Sequence, residues 1–290
     1  MPDPIVVVGG DSMVGRHLAS HLRMQGTEVL ATTRRREQAA AERPWLDLAE
    51  SPSLDRLPAN PGAIVVAAAV ARMAACRADP EGSAAVNVTG PLRLATEAAA
   101  RGIPLLFLST DKVFDGARPD RRSDEPCCPV SVYGRQKAAT EAALRSLPGM
   151  AILRLSRVIA PEDALMATWA EQLRAGQPLA PFSDLRMAPL PVDLIARLCA
   201  GILGRLADDP DRAGGVWQLS GSRDLTYAEA AFRLAGQIGA DPALVRPVPG
   251  VAGDEPPARF TTLDSGRAER SFGIGRPDPD PVLDAVFAGV

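Results

Sequence analysis

The stretch "IVVVGGDSMVGRHL", residues 5–18, decides the fold. Ile5–Val8 is a short β-branched run of the kind found in strands buried on both faces. It stops at Gly9-Gly10, and from Val14 to Met24 apolar residues recur at helical spacing. A strand that runs through glycines into a helix offers uncommitted backbone N–H groups and the positive end of a helix dipole to an anion such as a pyrophosphate. In the GxxGxxG pattern that begins at Gly9 and ends at Gly15, the middle position is Ser12. Its hydroxyl is expected to donate to a phosphate while limiting how closely the backbone approaches.

Four further apolar runs follow: "EVLATT" (28–33), "AIVVAAAVA" (63–71), "PLLFL" (104–108) and "AILRL" (151–155). Helices are predicted over Ala84–Ala100 and Val132–Ser146. This alternation predicts an α/β Rossmann-type fold, a doubly wound parallel sheet with ligands at the C-terminal ends of its strands. After Arg157 prolines become frequent. Helices are predicted over Ala164–Ala175, Pro191–Leu206 and Thr226–Ile238, with "VWQLS" (216–220) as a strand returning to the sheet. The tail from Val248 is rich in Pro, Gly and charge and receives no element. Residues 1–155 are expected to form an NAD(P)-binding domain. Residues 156–290 are expected to form a smaller, interleaved substrate-binding cap, with segments near 190–221 packing back on the sheet.

Hydrophobic residues make up 46% of the 290 and the net charge is −3, which gives no reason to expect a nucleic-acid partner. No apolar stretch reaches the length of a membrane span, and the start lacks a signal-peptide layout. Cys76, Cys127, Cys128 and Cys199 are few and irregularly spaced, as expected of reduced thiols in a cytoplasm. The only histidines, His17 and His21, are expected on a solvated helix face rather than in a metal site. No metal is expected, and a Ser-His-Asp triad has almost no candidates.

At the end of the second strand an acid would clamp an adenosine ribose 2′-hydroxyl and favour NAD(H). This chain has Thr32-Thr33-Arg34-Arg35-Arg36 instead. Cations suit a 2′-phosphate, so NADP(H) is the expected cofactor and NAD(H) the alternative. Asp47, in "WLDLAE", is placed to meet the adenine.

Tyr133 and Lys137, four apart on a predicted helix, share one face. An ammonium about 4 Å from a phenol, at an effective dielectric of about 20, contributes roughly 4 kcal/mol. That is enough to bring a tyrosine pKa from about 10 to about 7. The pair is thus expected to make an acid–base group without histidine. Thr110, at the end of the "LFLST" strand, adds a hydroxyl for a substrate carbonyl.

These residues resemble the extended short-chain dehydrogenase/reductases, and within them the dTDP-4-dehydrorhamnose reductase-like, sugar-nucleotide-binding group. The resemblance rests on "VVVGGDSMVGRHL", "VNVTGPLRLATEAA", "LSTDKVFDG" and "YGRQKAATE", and in the second half on "LRLSRVI", "DLRMAPLPVDLIA", "GVWQLSG" and "TTLD". It implies a catalytic set of Thr110, Tyr133 and Lys137. It places Gly9, Gly10, Asp11, Ser12, Met13, Val14 and Gly15 at the pyrophosphate, and Thr33, Arg34, Arg35, Asp47 and Leu48 on the adenosine side. Ala67, Ala68, Ala69, Asn87 and Ser109 would line the cofactor groove. Arg157, Arg186 and Arg259 would meet the anionic part of a nucleotide-sugar substrate, and a homodimer is left open. Two departures stand out. Lys112 follows Thr-Asp where the family commonly has an aromatic residue and where sugar-nucleotide 4,6-dehydratases have Glu, which argues against dehydration. Arg157 stands where rhamnose enzymes tend to place tryptophan, which points to another, anionic sugar or acyl group. The implied activity is NADPH-dependent reduction of a nucleotide-activated 4-keto-deoxysugar. The alternatives are a cofactor-binding regulatory subunit, as in the β subunit of methionine adenosyltransferase, or a nucleotide-sugar epimerase.

Overall fold

The apolar runs assemble into one parallel sheet: β1 (Ile5–Val8), β2 (Val29–Ala31), β3 (Ala63–Val66), β4 (Leu105–Thr110), β5 (Met150–Leu155) and β9 (Gly215–Leu219), in the order β2-β1-β3-β4-β5-β9. This is a computed structural model, and it describes residues 3–57, 60–250 and 257–289. The doubly wound order follows from right-handed crossovers, which carry helices to both faces.

Alternate residues of each strand feed opposite layers. Val7, Val65, Leu106, Leu153 and Trp217 pack with helices α1 (Met13–Met24) and α7 (Val192–Asp208). Val6, Ile64, Phe107 and Ile152 pack on the other face with α4 (Gly90–Ala100) and with Leu144 of α5 (Val132–Leu144). Continuous burial on both sides is why these strands read as unbroken apolar runs. Between β3 and α4 lie α2 (Met73–Ala78), α3 (Pro80–Ala84) and a π-helical turn, Ala85–Thr89. The helix expected over Ala84–Ala100 is therefore wider in its first turn.

The strands β6 (Val158–Ile159) and β8 (Leu190–Pro191) pair with each other, as do β7 (Arg186–Met187) and β10 (Leu225–Thr226). With α6 (Ala164–Arg174) and α9 (Tyr227–Ile238) they form a third core around Met166, Trp169, Leu234 and Leu283. The short α8 (Pro210–Ala213) leads into β9. The tail, read as element-free, holds α10 (Gly266–Phe272) and α11 (Pro279–Phe287), while residues 251–256 lie outside the described residues. The prolines there misled: Asp278 caps α11 and Pro279 occupies its first turn, where a missing N–H costs nothing.

Helix α5 is unusual, because its buried face is polar: Tyr133, Gln136, Lys137, Thr140 and Glu141. Glu141 is 1% exposed and meets the guanidinium of Arg154, 0% exposed, through both carboxylate oxygens, with Nη2–Oε2 at 2.7 Å. Ser109 at the end of β4 donates to the same carboxylate at 2.6 Å, and Arg154 also donates to Gln218 of β9 at 3.0 Å. One ion pair thus locks α5 to three strands. Replacing Arg154 by Met leaves the buried Glu141 with only the more distant and more exposed Arg145, at 3.8 Å, so the Arg154→Met variant is expected to lose about 3 kcal/mol in urea unfolding. The double replacement Arg154→Met/Glu141→Gln should recover part of that loss.

Candidate active site

At the C-terminal end of the sheet two cavities join through Ala69 and Ala71. The first, about 490 Å³, is a groove over the glycine turn and is lined by Gly9, Asp11, Ser12, Arg34, Arg35, Asp47, Leu48 and Ala68. The second, about 420 Å³, is a chamber lined by Met13, Val14, Ala67, Ser109, Thr110, Tyr133 and Lys137, with Arg157 and Arg186.

The turn is shaped by backbone contact. Gly9 has φ +90°, and a Cβ there would fall 2.6 Å from the Ala68 nitrogen; one on Gly15 would fall 2.2 Å from the Gly9 carbonyl. Ser12 caps α1, and its hydroxyl is used within the turn: it accepts from Gly15 N at 3.0 Å and donates to Gly9 O at 2.8 Å. The expected donation from Ser12 to a phosphate is therefore replaced by a role in fixing the loop. Gly10 and Gly15 shape the turn without lining the groove.

On the adenosine side, Thr33 is 1% exposed and braces the groove from beneath, donating to Asp11 at 2.8 Å and accepting from Arg35 N at 3.1 Å. Asp11 also pairs with Arg43, a partner 32 residues away that no motif singles out. Burial opposes ionisation of Asp11, but Thr33 and Arg43 together hold its carboxyl below the usual range. The one acid of the turn is thus neutralised. Among the described residues Arg34 and Arg35 have no ion-pair partner, whereas Arg36 pairs with Glu50 at 2.7 Å and lies over the Trp45 ring.

Asn87 does not line the groove. It is 1% exposed in the π turn, bonds both backbone groups of Val70 at 2.9 and 3.0 Å, and donates to Gln136 of α5 at 2.8 Å. It holds the loop after β3 against the helix of the Tyr-Lys pair. Arg259 is exposed and lines neither cavity. His17, expected in solvent, bridges Glu162 at 2.8 Å and Asp193 at 3.3 Å.

Thr110, Tyr133 and Lys137 do converge. Thr110 donates to Asp111 at 3.0 Å and favours ionisation of the Tyr133 phenol, while Lys112 Nζ lies 2.8 Å from the other Asp111 oxygen. The electrostatics are the reverse of the sequence expectation. Burial, with the neighbouring Asp111 carboxylate, pushes the Tyr133 phenol well above its ordinary value, against the Thr110 hydrogen bond. Lys137 donates to the Leu108 carbonyl at 2.5 Å and lies 3.8 Å from the centre of the Phe107 ring. Burial lowers its ammonium to about 7, with Glu141 opposing. Lys137 is spent on the end of β4, so desolvation governs the phenol here. By contrast Lys112, although burial opposes its charge, is held charged by Asp111 and more weakly by Tyr227 and Asp224.

Over residues 3–288 the sequence matches the family described as the RmlD substrate binding domain. The chain belongs to that family. It is 31% identical to dTDP-4-dehydrorhamnose reductase of Streptomyces griseus over 288 residues, covering 90% of this chain and 86% of the relative. It is 26% identical to methionine adenosyltransferase 2 subunit beta of Pongo abelii, covering 95% and 84%. Among solved structures, dTDP-4-dehydrorhamnose reductase from Bacillus anthracis in complex with NADP superposes with a TM-score of 0.82 at 17% identity, covering 100% and 99%, which is a likeness of fold. Among the described residues no cluster of His, Cys, Asp and Glu fits a metal ion, and no helix is long and apolar enough to cross a membrane.

The depressed Lys137 ammonium makes a testable contribution to stability. Between about pH 7 and the ordinary lysine value of 10.5, the unfolded chain holds a proton that the folded chain has released. Stability from this group therefore rises with pH across that window. In urea unfolding of the ligand-free protein, the stability difference between the unmodified chain and Lys137→Met should shift in favour of the unmodified chain by roughly 1.4 kcal/mol per pH unit from about pH 8 to 9.5. A flat difference would show that Lys137 keeps its proton.

Proposed function

We propose that this protein is an NADPH-dependent reductase of a nucleotide-activated 4-keto-deoxysugar, with NADH as the weaker alternative donor. The observation that carries the reading is continuity: Thr110, Tyr133 and Lys137 line one chamber that opens into a glycine-turn groove ending at Arg34 and Arg35. The turn fits a dinucleotide, because Gly9 and Gly15 leave no room for side chains and α1 points its N-terminus at the groove. Arg34 and Arg35 fit a 2′-phosphate. NADPH, when bound, supplies the hydride.

The chain's own groups do the rest. Tyr133, protonated at neutral pH, gives its phenolic proton to the oxygen of the carbon being reduced. Thr110, turning its hydroxyl from Asp111, donates a hydrogen bond to that oxygen. Lys137 binds ribose hydroxyls and, drawn from the Leu108 carbonyl, brings its charge to the phenol. Beside the chamber lies an apolar cavity of about 320 Å³ lined by Phe114, Val130, Phe182 and Leu185, which suits a nucleotide base. Lys112 lines both spaces, and Arg186 adjoins the shared Leu185. These two cations suit the diphosphate between base and sugar. The dTDP-4-dehydrorhamnose reductase relatives support the reading. The similarity to methionine adenosyltransferase 2 subunit beta keeps a regulatory role as the second reading; it would show as cofactor binding without turnover of any nucleotide keto-sugar.

Two measurements test the proposal. Calorimetric titration should show tighter binding of NADPH than NADH, and Arg34→Ala and Arg35→Ala should each weaken NADPH by on the order of tenfold while leaving NADH nearly unchanged. Equal affinities in the unmodified chain would defeat the cofactor assignment. Tyr133→Phe should keep NADPH affinity and lower kcat on a 4-keto-sugar nucleotide by about 10²–10⁴-fold. Retained turnover would remove Tyr133 from the chemistry.

A further inference from the structure

The chamber is cationic beyond what hydride transfer needs. Its charged lining residues are Lys112, Lys137, Arg157 and Arg186 against the single acid Asp111, in a chain whose net charge is −3. Lys112 also lines the apolar side cavity, and Arg186 adjoins Leu185, which lines both spaces. Arg157 lines the central chamber but not that cavity.

Arg157 stands just past the C-terminal end of β5. β4 and β5 pair in parallel with Thr110 opposite Leu155. Neighbouring strands are about 4.8 Å apart and each residue advances about 3.3 Å. Arg157, two residues past Leu155 and beyond the end of β5, lines the same chamber as Thr110. Its backbone carbonyl is pinned by Leu190 N at 2.8 Å.

The guanidinium is aimed before any ligand arrives. One Nη donates to Asp163 Oδ2 at 2.6 Å, while the other Asp163 oxygen caps α6 by accepting from Leu165 N and Met166 N. Asp163 is 5% exposed and does not line the chamber, whereas the Arg157 side chain is 34% exposed and does. The pair thus holds its anion in the protein and presents its cation to the cavity. Among the described residues its other hydrogen bond is a long one, 3.4 Å, to Val158 O, and its Nε is buried without a partner, so one N–H on each Nη remains for a ligand. An oriented planar fork with spare donors matches a carboxylate better than it matches hydroxyls.

We propose that Arg157 recognises a carboxylate on the sugar, so that the keto-sugar reduced here is itself anionic; this rests on the nucleotide-sugar reading above. Calorimetry on the full chain loaded with NADPH tests it, with UDP, UDP-glucose and UDP-glucuronic acid, which carry no keto group to reduce, as unreactive probes and the corresponding dTDP ligands beside them. The glucuronate is expected to bind on the order of tenfold more tightly than the glucose compound. Arg157→Gln should erase that difference and leave UDP and UDP-glucose as they were. Asp163→Asn keeps an N-capping side chain but removes the competing charge, so it should enlarge the preference. Equal affinity for the two sugars in the unmodified chain overturns the proposal. So does a loss in Arg157→Gln that is shared equally by UDP, which would make the arginine a diphosphate or structural group. Failure of every UDP and dTDP ligand to bind overturns the nucleotide-sugar reading and this inference together, whereas binding of UDP without sugar discrimination overturns the inference alone.

Discussion

The placement of the candidate chemistry depends on the buried pair between Glu141 and Arg154. Helix α5 carries Tyr133 and Lys137, yet the face it turns to the sheet is too polar for hydrophobic packing to set its position. The pair supplies the missing constraint. Arg154 lies on β5, Ser109 on β4 and Gln218 on β9, and all three meet at or beside one carboxylate. Gln218 then reaches the carbonyls of Arg121 and Asp264, so the loops over the sheet are drawn into the same network. A buried ion pair is costly to desolvate and adds little net stability over an apolar pair, but it tolerates little displacement. Here it keeps Lys137, one turn before Glu141, beside the end of β4.

The same economy of charge separates the two ends of the cleft. In the groove, Asp11 is neutralised by Arg43 and Thr33, which leaves Arg34, Arg35 and Arg72 as its exposed cations. In the chamber, Lys112 is matched by Asp111 and Arg157 by Asp163. A compensated cation is held still and kept charged, which suits recognition of an anion with definite geometry. An uncompensated one at the rim acts at longer range and is weakened by salt.

Much of this was legible in the sequence, for reasons that can be named. The strands of the main sheet are buried on both faces, so they appear as apolar runs that need no partner to be recognised. Gly9 and Gly15 declare a turn where side chains have no room, and the spacing of Tyr133 and Lys137 places both on one helical face. What stayed hidden depends on partners distant in the chain. Ser12 looked available to a phosphate because its bonds to Gly9 and Gly15 are invisible in one dimension. Asn87 looked like a groove residue, but its neighbours Val70 and Gln136 meet it only through the π turn. The direction of the Tyr133 shift could not be read from its spacing to Lys137, because burial and the Asp111 carboxylate, brought there by the fold, decide it. Helix α11 was missed because Asp278 and Pro279, in a tail rich in proline, form its cap and first turn, and α10 because it has only seven residues.

The position of β9 has a consequence for how the chain is made. Its place in the sheet is beside β5, yet about sixty residues separate the two strands, including the helices α6 and α7. As the chain leaves the ribosome, the first five strands are available well before the sixth. During that interval β5 is an open edge with unpaired backbone groups, and Arg154 lacks Gln218. Closure must wait for a contact of long sequence separation, the kind that slows folding and leaves intermediates prone to pair with one another. Truncation before Gly215 would make that transient edge permanent, so the first half of this chain is a poor candidate for a free-standing cofactor-binding module.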